Sequence, residues 1–173
     1  MWTNLEGFNH LHATELAALL DAPILITVLV GAADSVLDRE ERNWSDRLMR
    51  ARTYNNPKHL NDYYTIIANG FLEKVDKAMD ELPVNVEVRS TIIAQKLTLL
   101  NPVLAKLDDP LGADLYKSYI GLAEETAKAS GGFLRIGAIS AEEARWIGLP
   151  MLTPLKGAST PVEWDEKDPE VDQ

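Results

Sequence analysis

Four carboxylates crowd one short stretch of the chain: Asp34, Asp38, Glu40 and Glu41. Carboxylates at a turn between helices, joined by loop carbonyls, are hard oxygen donors of the kind calcium takes, about six to eight at a time. A simpler chemistry fits the same residues. Asp38 and Glu41 have capping-box spacing, in which the aspartate accepts from the N3 amide and the glutamate reaches back to the cap amide. Negative charge is favoured at a helix start in any case, and Asp34 suits a turn. The stretch is not an EF-hand, because the alternating Asp/Asn ligands and the central glycine are missing.

Other reactive constellations are incomplete. Asp108, Asp109 and Asp114 have the look of an aspartate-rich magnesium motif, but no second acidic cluster accompanies them, and Asp109 before Pro110 reads as a helix cap. His10 and His12 lie two apart, on different sides of a helix, and His59 stands alone; no His-Glu-x-x-His completes a zinc set. There is no cysteine, which excludes disulfides, thiolate metal sites and Cys nucleophiles. No glycine-rich phosphate loop ends in Lys-Ser or Lys-Thr, and no nucleophile elbow occurs. The expectation is a chain that is not an enzyme. The net charge of −10 repels phosphate backbones, so nucleic acid is not an expected partner. The one basic cluster, Arg47, Arg50 and Arg52, shares its stretch with Glu40, Glu41 and Asp46 and reads as a solvated helix face.

The elements that must position these residues are helices, because helical periodicity dominates and strand alternation is almost absent. The spacing predicts a short helix over Thr14–Leu20 capped by Thr14, then a second over Ile24–Ala33 with Asp21 as cap and Pro23 in its first turn. A third starts at Asp38. A fourth starts at Asn56 and Pro57, with the stripe Leu60, Tyr64, Ile67, Phe71, Val75, Met79 and Leu82, and stops at Pro83. Asn85 caps a fifth, whose stripe Ile93, Leu97, Leu100, Leu104 and Leu107 is kinked or divided by Pro102. Asp109 and Pro110 open a sixth, with Leu111, Leu115, Tyr119 and Leu122 inward. After the glycine-rich loop Gly131–Gly137, Ser140 and Glu143 make a second capping box for a short last helix. The expected fold is an all-α, single-domain, irregular or orthogonal bundle of about six or seven helices. Its length, 173 residues with 46% hydrophobic and 25% charged, suits one globular domain. The division is residues 1–155 as the helical body and 156–173 as a flexible acidic tail, with Trp164 its one large apolar residue. No signal peptide is visible over Met1–Leu11, and the apolar run Pro23–Ala33 is short of the roughly 20 residues a bilayer needs. Cytoplasm is the expected location.

A weak internal repeat links the two capping boxes. Asp38-Arg-Glu-Glu41-Arg-Asn-Trp44 matches Ser140-Ala-Glu-Glu143-Ala-Arg-Trp146 in cap, paired glutamates and tryptophan. Each copy follows an apolar helix ending in small residues, Ala32-Ala33-Asp34-Ser35 in one and Ala129-Ser130-Gly131-Gly132 in the other, so the fold reads as a pseudo-duplicated helix–acidic corner–helix. Trp44 and Trp146 read as wedges packing each corner helix on the core, with an exposed aromatic pair for a partner as the alternative. This pattern resembles the TerB-like domains, named for tellurite resistance proteins, over roughly Pro23 to Leu149. The resemblance implies a helical, non-enzymatic module of the stress-response type, near the membrane in some settings. It carries a divalent cation such as calcium over to Asp34 and Glu41, then Glu143, beside Asp38 of the cap. Ser35 stands where glycine is usual and Ser130 where the second element has aspartate, which removes a carboxylate from one half of a shared site. The alternative is a metal-free interaction or scaffold domain that binds a protein in a groove between its long helices; the oligomeric state is left open.

Overall fold

The computed structural model describes residues 5–34, 36–130 and 141–157. Ser35, the loop 131–137, the cap Ser140 and the tail from 158 on, with Trp164, lie outside the described residues. The helices are α1 (Ala13–Gly31), α2 (Arg39–Ala51), α3 (Lys58–Ala68), α4 (Phe71–Glu81), α5 (Val86–Thr98), α6 (Asn101–Leu104), α7 (Leu111–Ser130) and α8 (Ala141–Ala144). Among the described residues there is no strand, so the all-α bundle holds, with α6 and α8 as single turns.

The first two expected helices are one. α1 runs through Pro23 and is packed against α7, α4, α5 and α3. A proline inside a helix lacks the N–H that would bond the carbonyl four residues back, here Leu19. That carbonyl is satisfied from outside the helix: Tyr63 of α3 and Tyr119 of α7 both donate their hydroxyls to it, Tyr119 at 3.1 Å, and the two hydroxyls lie 2.8 Å apart. All three residues are buried, and burial pushes both phenols well above their usual pKa, so they stay donors. Thr27 donates its hydroxyl to the Pro23 carbonyl at 2.8 Å, a further local tie. The continuous α1 has 19 residues and a mean hydropathy of 1.9, long and apolar enough to cross a bilayer, yet 56% of its most apolar window is buried in the bundle, as for a core helix.

The expected fourth helix is two. Gly70, at φ +68°, turns the chain between α3 and α4, although Leu60, Tyr64, Ile67, Phe71 and Val75 form a single buried stripe across the break. The stripe hid the break because its steps of three and four continue through it. Lys74 closes the joint by donating to the carbonyls of Ile66 (3.1 Å) and Ile67 (3.3 Å), which the end of α3 leaves open. Pro102 divides α5 from α6 as expected.

α2 shows where local pattern and packing part company. Its capping box is as expected. Asp38 Oδ1 accepts from the amides of Glu40 (2.7 Å) and Glu41 (2.8 Å), and Glu41 Oε2 accepts from that of Asp38 (2.8 Å). The inner stripe, however, is Ser45, Met49 and Arg52, and Trp44 falls beside it, 50% exposed. The wedge expectation therefore holds for Trp146, 8% exposed beneath the Arg145 guanidinium at 4.6 Å, and fails for Trp44. The basic cluster is corrected too. Arg47 is exposed and Arg50 pairs with Asp46 at 2.8 Å, but Arg52 is buried. It donates to Ser118 Oγ (2.9 Å) and Glu125 (2.5 Å) and lies over the Tyr64 ring, whose hydroxyl is 2.6 Å from Ser118 Oγ. This network ties α2 to α3 and α7.

Candidate functional site

The acidic corner is assembled, but as a pair of helix starts. Burial raises the Glu41 pKa; its bond from the Asp38 amide lowers it; the charges of Asp38, Asp34 and Glu143 raise it again. The fold thus brings Glu143, 4% exposed at α8, into electrostatic reach of its repeat counterpart Glu41. Asp38 and Glu41 already spend oxygens on each other's amides. Among the described residues, no three Asp, Glu or His side chains stand where they could hold one metal ion. Sequence reasoning missed Arg89 beside this corner: its buried guanidinium donates to the Ala32 carbonyl at 2.7 Å and closes the C-terminal end of α1. The histidines are dispersed, with His10 Nε2 2.9 Å from the Lys106 carbonyl and His59 3.0 Å from Asp114.

The larger feature is a cleft of about 910 Å³ between α1, α4, α5 and the segment before α1. One face of α1, Leu16, Ala17 and Leu20, forms a wall. Leu5, Phe8 and Leu11 close one end; this segment is folded into turns (Phe8 N–H to the Leu5 carbonyl, Leu11 N–H to the Phe8 carbonyl, each 3.1 Å), and Phe8 stacks on Tyr63 with ring centres 5.6 Å apart. Lys106 holds it from the far side, pairing with Glu15 and accepting His10 at its carbonyl. α5 contributes Leu97, and the turn between α5 and α6 contributes Leu99 and Leu100, of which Leu99 is 71% exposed.

The polar groups of the cleft gather around Asp21, in the middle of α1. The walls around its carboxyl raise its pKa by shedding water, and Lys96, Lys74 and Lys77 pull it back down. Lys77 also pairs with Glu81 at 3.7 Å. Burial lowers the pKa of Lys74. Asp21 reads from sequence as a helix cap because Pro23 suggests a start; a carboxylate inside a continuous apolar helix is the signal that would have pointed here. The rest of the cleft comes from four separate segments and has no local signature.

The described residues thus form an all-α bundle with an apolar recess edged by charge on one side. Comparison with protein-family models, curated proteins and solved structures gave no match.

Proposed function

We propose that this chain is a non-enzymatic helical binding module, and that the cleft between α1, α4 and α5 is where it binds. One observation carries the reading. A helix apolar on all sides belongs in a bundle interior, covered all round. α1 leaves the apolar face of Leu16, Ala17 and Leu20 only partly covered, with Ala17 exposed, over a recess of about 910 Å³. Ligand sites span roughly 300–1,000 Å³ with mostly apolar walls and a few placed polar groups. The test is titration with an uncharged solvatochromic dye such as Nile red. Saturable binding with one site is expected, lost in Ala17→Trp, which fills the recess from an exposed position while keeping the wild-type melting temperature. Binding that does not saturate, or that survives Ala17→Trp unchanged, overturns the reading.

A second reading has its own support. In a TerB-like stress-response module, Asp34, Asp38, Glu41 and Glu143 would hold a divalent cation such as calcium only by drawing closer together than they stand here, and the crowding of negative charge on Glu41 favours a positive partner. With two of the carboxylates engaged in capping, affinity is weak, on the order of 10⁻⁴ M or poorer. A bound ion stabilises only the folded state, by about 2.7 kcal/mol at 100 times the dissociation constant. Melting curves in chelator, calcium, magnesium and manganese, for wild type and Asp34→Asn, decide it: a melting temperature indifferent to every ion at millimolar level removes the cation.

A further inference from the structure

We propose that the cleft takes a single-chain anionic amphiphile of the long-chain fatty acid type, its carboxylate held among Lys74, Lys77 and Lys96 and its chain laid along α1 toward Phe8 and Leu11. The proposal rests on the binding reading above and names its ligand class.

Two features of the recess point to this chemistry. The first is segregation. Lys96, Lys74, Lys77 and Glu81 all act on the Asp21 carboxyl, so the charges collect at one place on the wall. From Asp21 back to Ala13, α1 offers Leu20, Ala17 and Leu16 to the cleft, a run of roughly 12 Å at helical rise. Leu5, Phe8 and Leu11 face that run from one side and Leu99 and Leu100 from another. A ligand polar at one end and apolar along its length matches this layout. An extended peptide carries polar groups along its whole length and would set some of them against the apolar run, which leaves an amphipathic helix as the peptide competitor to test.

The second is charge. The chain carries −10, yet three lysines here face two carboxylates, leaving one positive charge in excess. Glu81 is taken by Lys77, and Lys74 is partly stripped of water by its surroundings. A carboxylate head would neutralise the excess, and Lys74, which gives two of its three N–H groups to the Ile66 and Ile67 carbonyls, has one left for it. Each buried methylene of the chain adds about 0.8 kcal/mol, so a long chain supplies affinity and the lysines supply selection for the acid. Asp21 opposes the head and limits its affinity, a penalty that removing its charge would lift.

The experiment uses the full chain and cis-parinaric acid, a fluorescent fatty acid, displaced in turn by palmitate, by hexadecanol and by an acidic amphipathic helical peptide. Palmitate is expected to compete at least about tenfold better than the uncharged alcohol, the worth of one hydrogen bond to a charged group. Lys96→Glu, at an exposed position, should weaken palmitate by about the same factor while Nile red still binds as in wild type. Asp21→Asn should tighten palmitate, and Lys128→Glu, exposed on α7 away from the cleft, should leave it unchanged. Equal competition by acid and alcohol, or indifference to Lys96→Glu with the dye still bound, overturns the anionic amphiphile and leaves the binding module standing. Displacement by the peptide but not by palmitate overturns it in favour of a protein partner. Failure of dye, acid and alcohol together removes both readings.

Discussion

The Leu19 carbonyl shows how much one atom can organise. With two donors, it tolerates the loss of one. Tyr63→Phe and Tyr119→Phe should each cost little, since the other hydroxyl still reaches the carbonyl. The double variant leaves a buried acceptor bare and should cost roughly 1–3 kcal/mol beyond the sum of the singles. Denaturant unfolding of the four proteins measures that coupling; strict additivity would show that a different group satisfies Leu19. The tryptophans make a second contrast. Trp146→Ala empties a core position and should cost about 3–5 kcal/mol, whereas Trp44→Ala, at a half-exposed ring, should stay within about 0.5 kcal/mol. Unfolding midpoints of the two variants check this, and similar losses in both would put Trp44 in a contact. At Glu41 the sign follows from a folded pKa raised mainly by burial: the protonated form is favoured on folding, so ionisation at neutral pH opposes stability. Glu41→Gln keeps an acceptor for the Asp38 amide and should melt higher than wild type at pH 7. The advantage should shrink as pH falls through the raised pKa toward the ordinary carboxyl value of about 4.3 and vanish below it. An advantage that grows on acidification would contradict this.

Among the elements, the joint between α3 and α4 separates space from backbone. A Cβ built on Gly70 meets only Glu73 Oε2, at 3.5 Å, an ordinary contact, so nothing but the left-handed φ resists a side chain. Gly70→Ala should therefore cost about 1–2 kcal/mol, the local price of that conformation, while Gly70→Asn, which tolerates it better, should cost less; equal losses in a thermal melt would mean that the joint changes shape. The same joint marks the limit of pattern reading. Helix existence was legible wherever apolar residues recur at three and four, as from Leu60 to Val75 and from Leu111 to Leu122. The boundaries were legible only where a cap or proline acts locally, as at Asp38, Asn85 and Pro102. At Pro23 the local rule failed because its penalty is met by hydroxyls from residues 44 and 100 positions away. At Gly70 it failed because the apolar stripe is indifferent to a turn that keeps its phase.

For the molecule as a whole, composition and periodicity were enough for the all-α class, and the acidic corner was legible because its capping box is a matter of four neighbouring residues, Asp38 to Glu41. The cleft was not. Asp21, Lys74 and Lys96 lie on three helices, and only the packing of α4 and α5 on α1 makes them neighbours. Arg52 likewise reads as surface charge until Ser118 and Glu125 are seen to receive it. Surfaces composed from distant segments have no sequence period to betray them.

The bond from Tyr119 to Leu19 also sets a clock for biosynthesis. α1 leaves the ribosome before α7, and one of the two groups that satisfy its open carbonyl is made 100 residues after it. At about 5–20 residues per second, the most apolar helix of the chain waits roughly 5–20 s for its cover. Nascent chains arrested before α7 should accordingly be held by ribosome-associated chaperones or cut rapidly by added protease within α1, and chains arrested well beyond Tyr119 should be released and resistant.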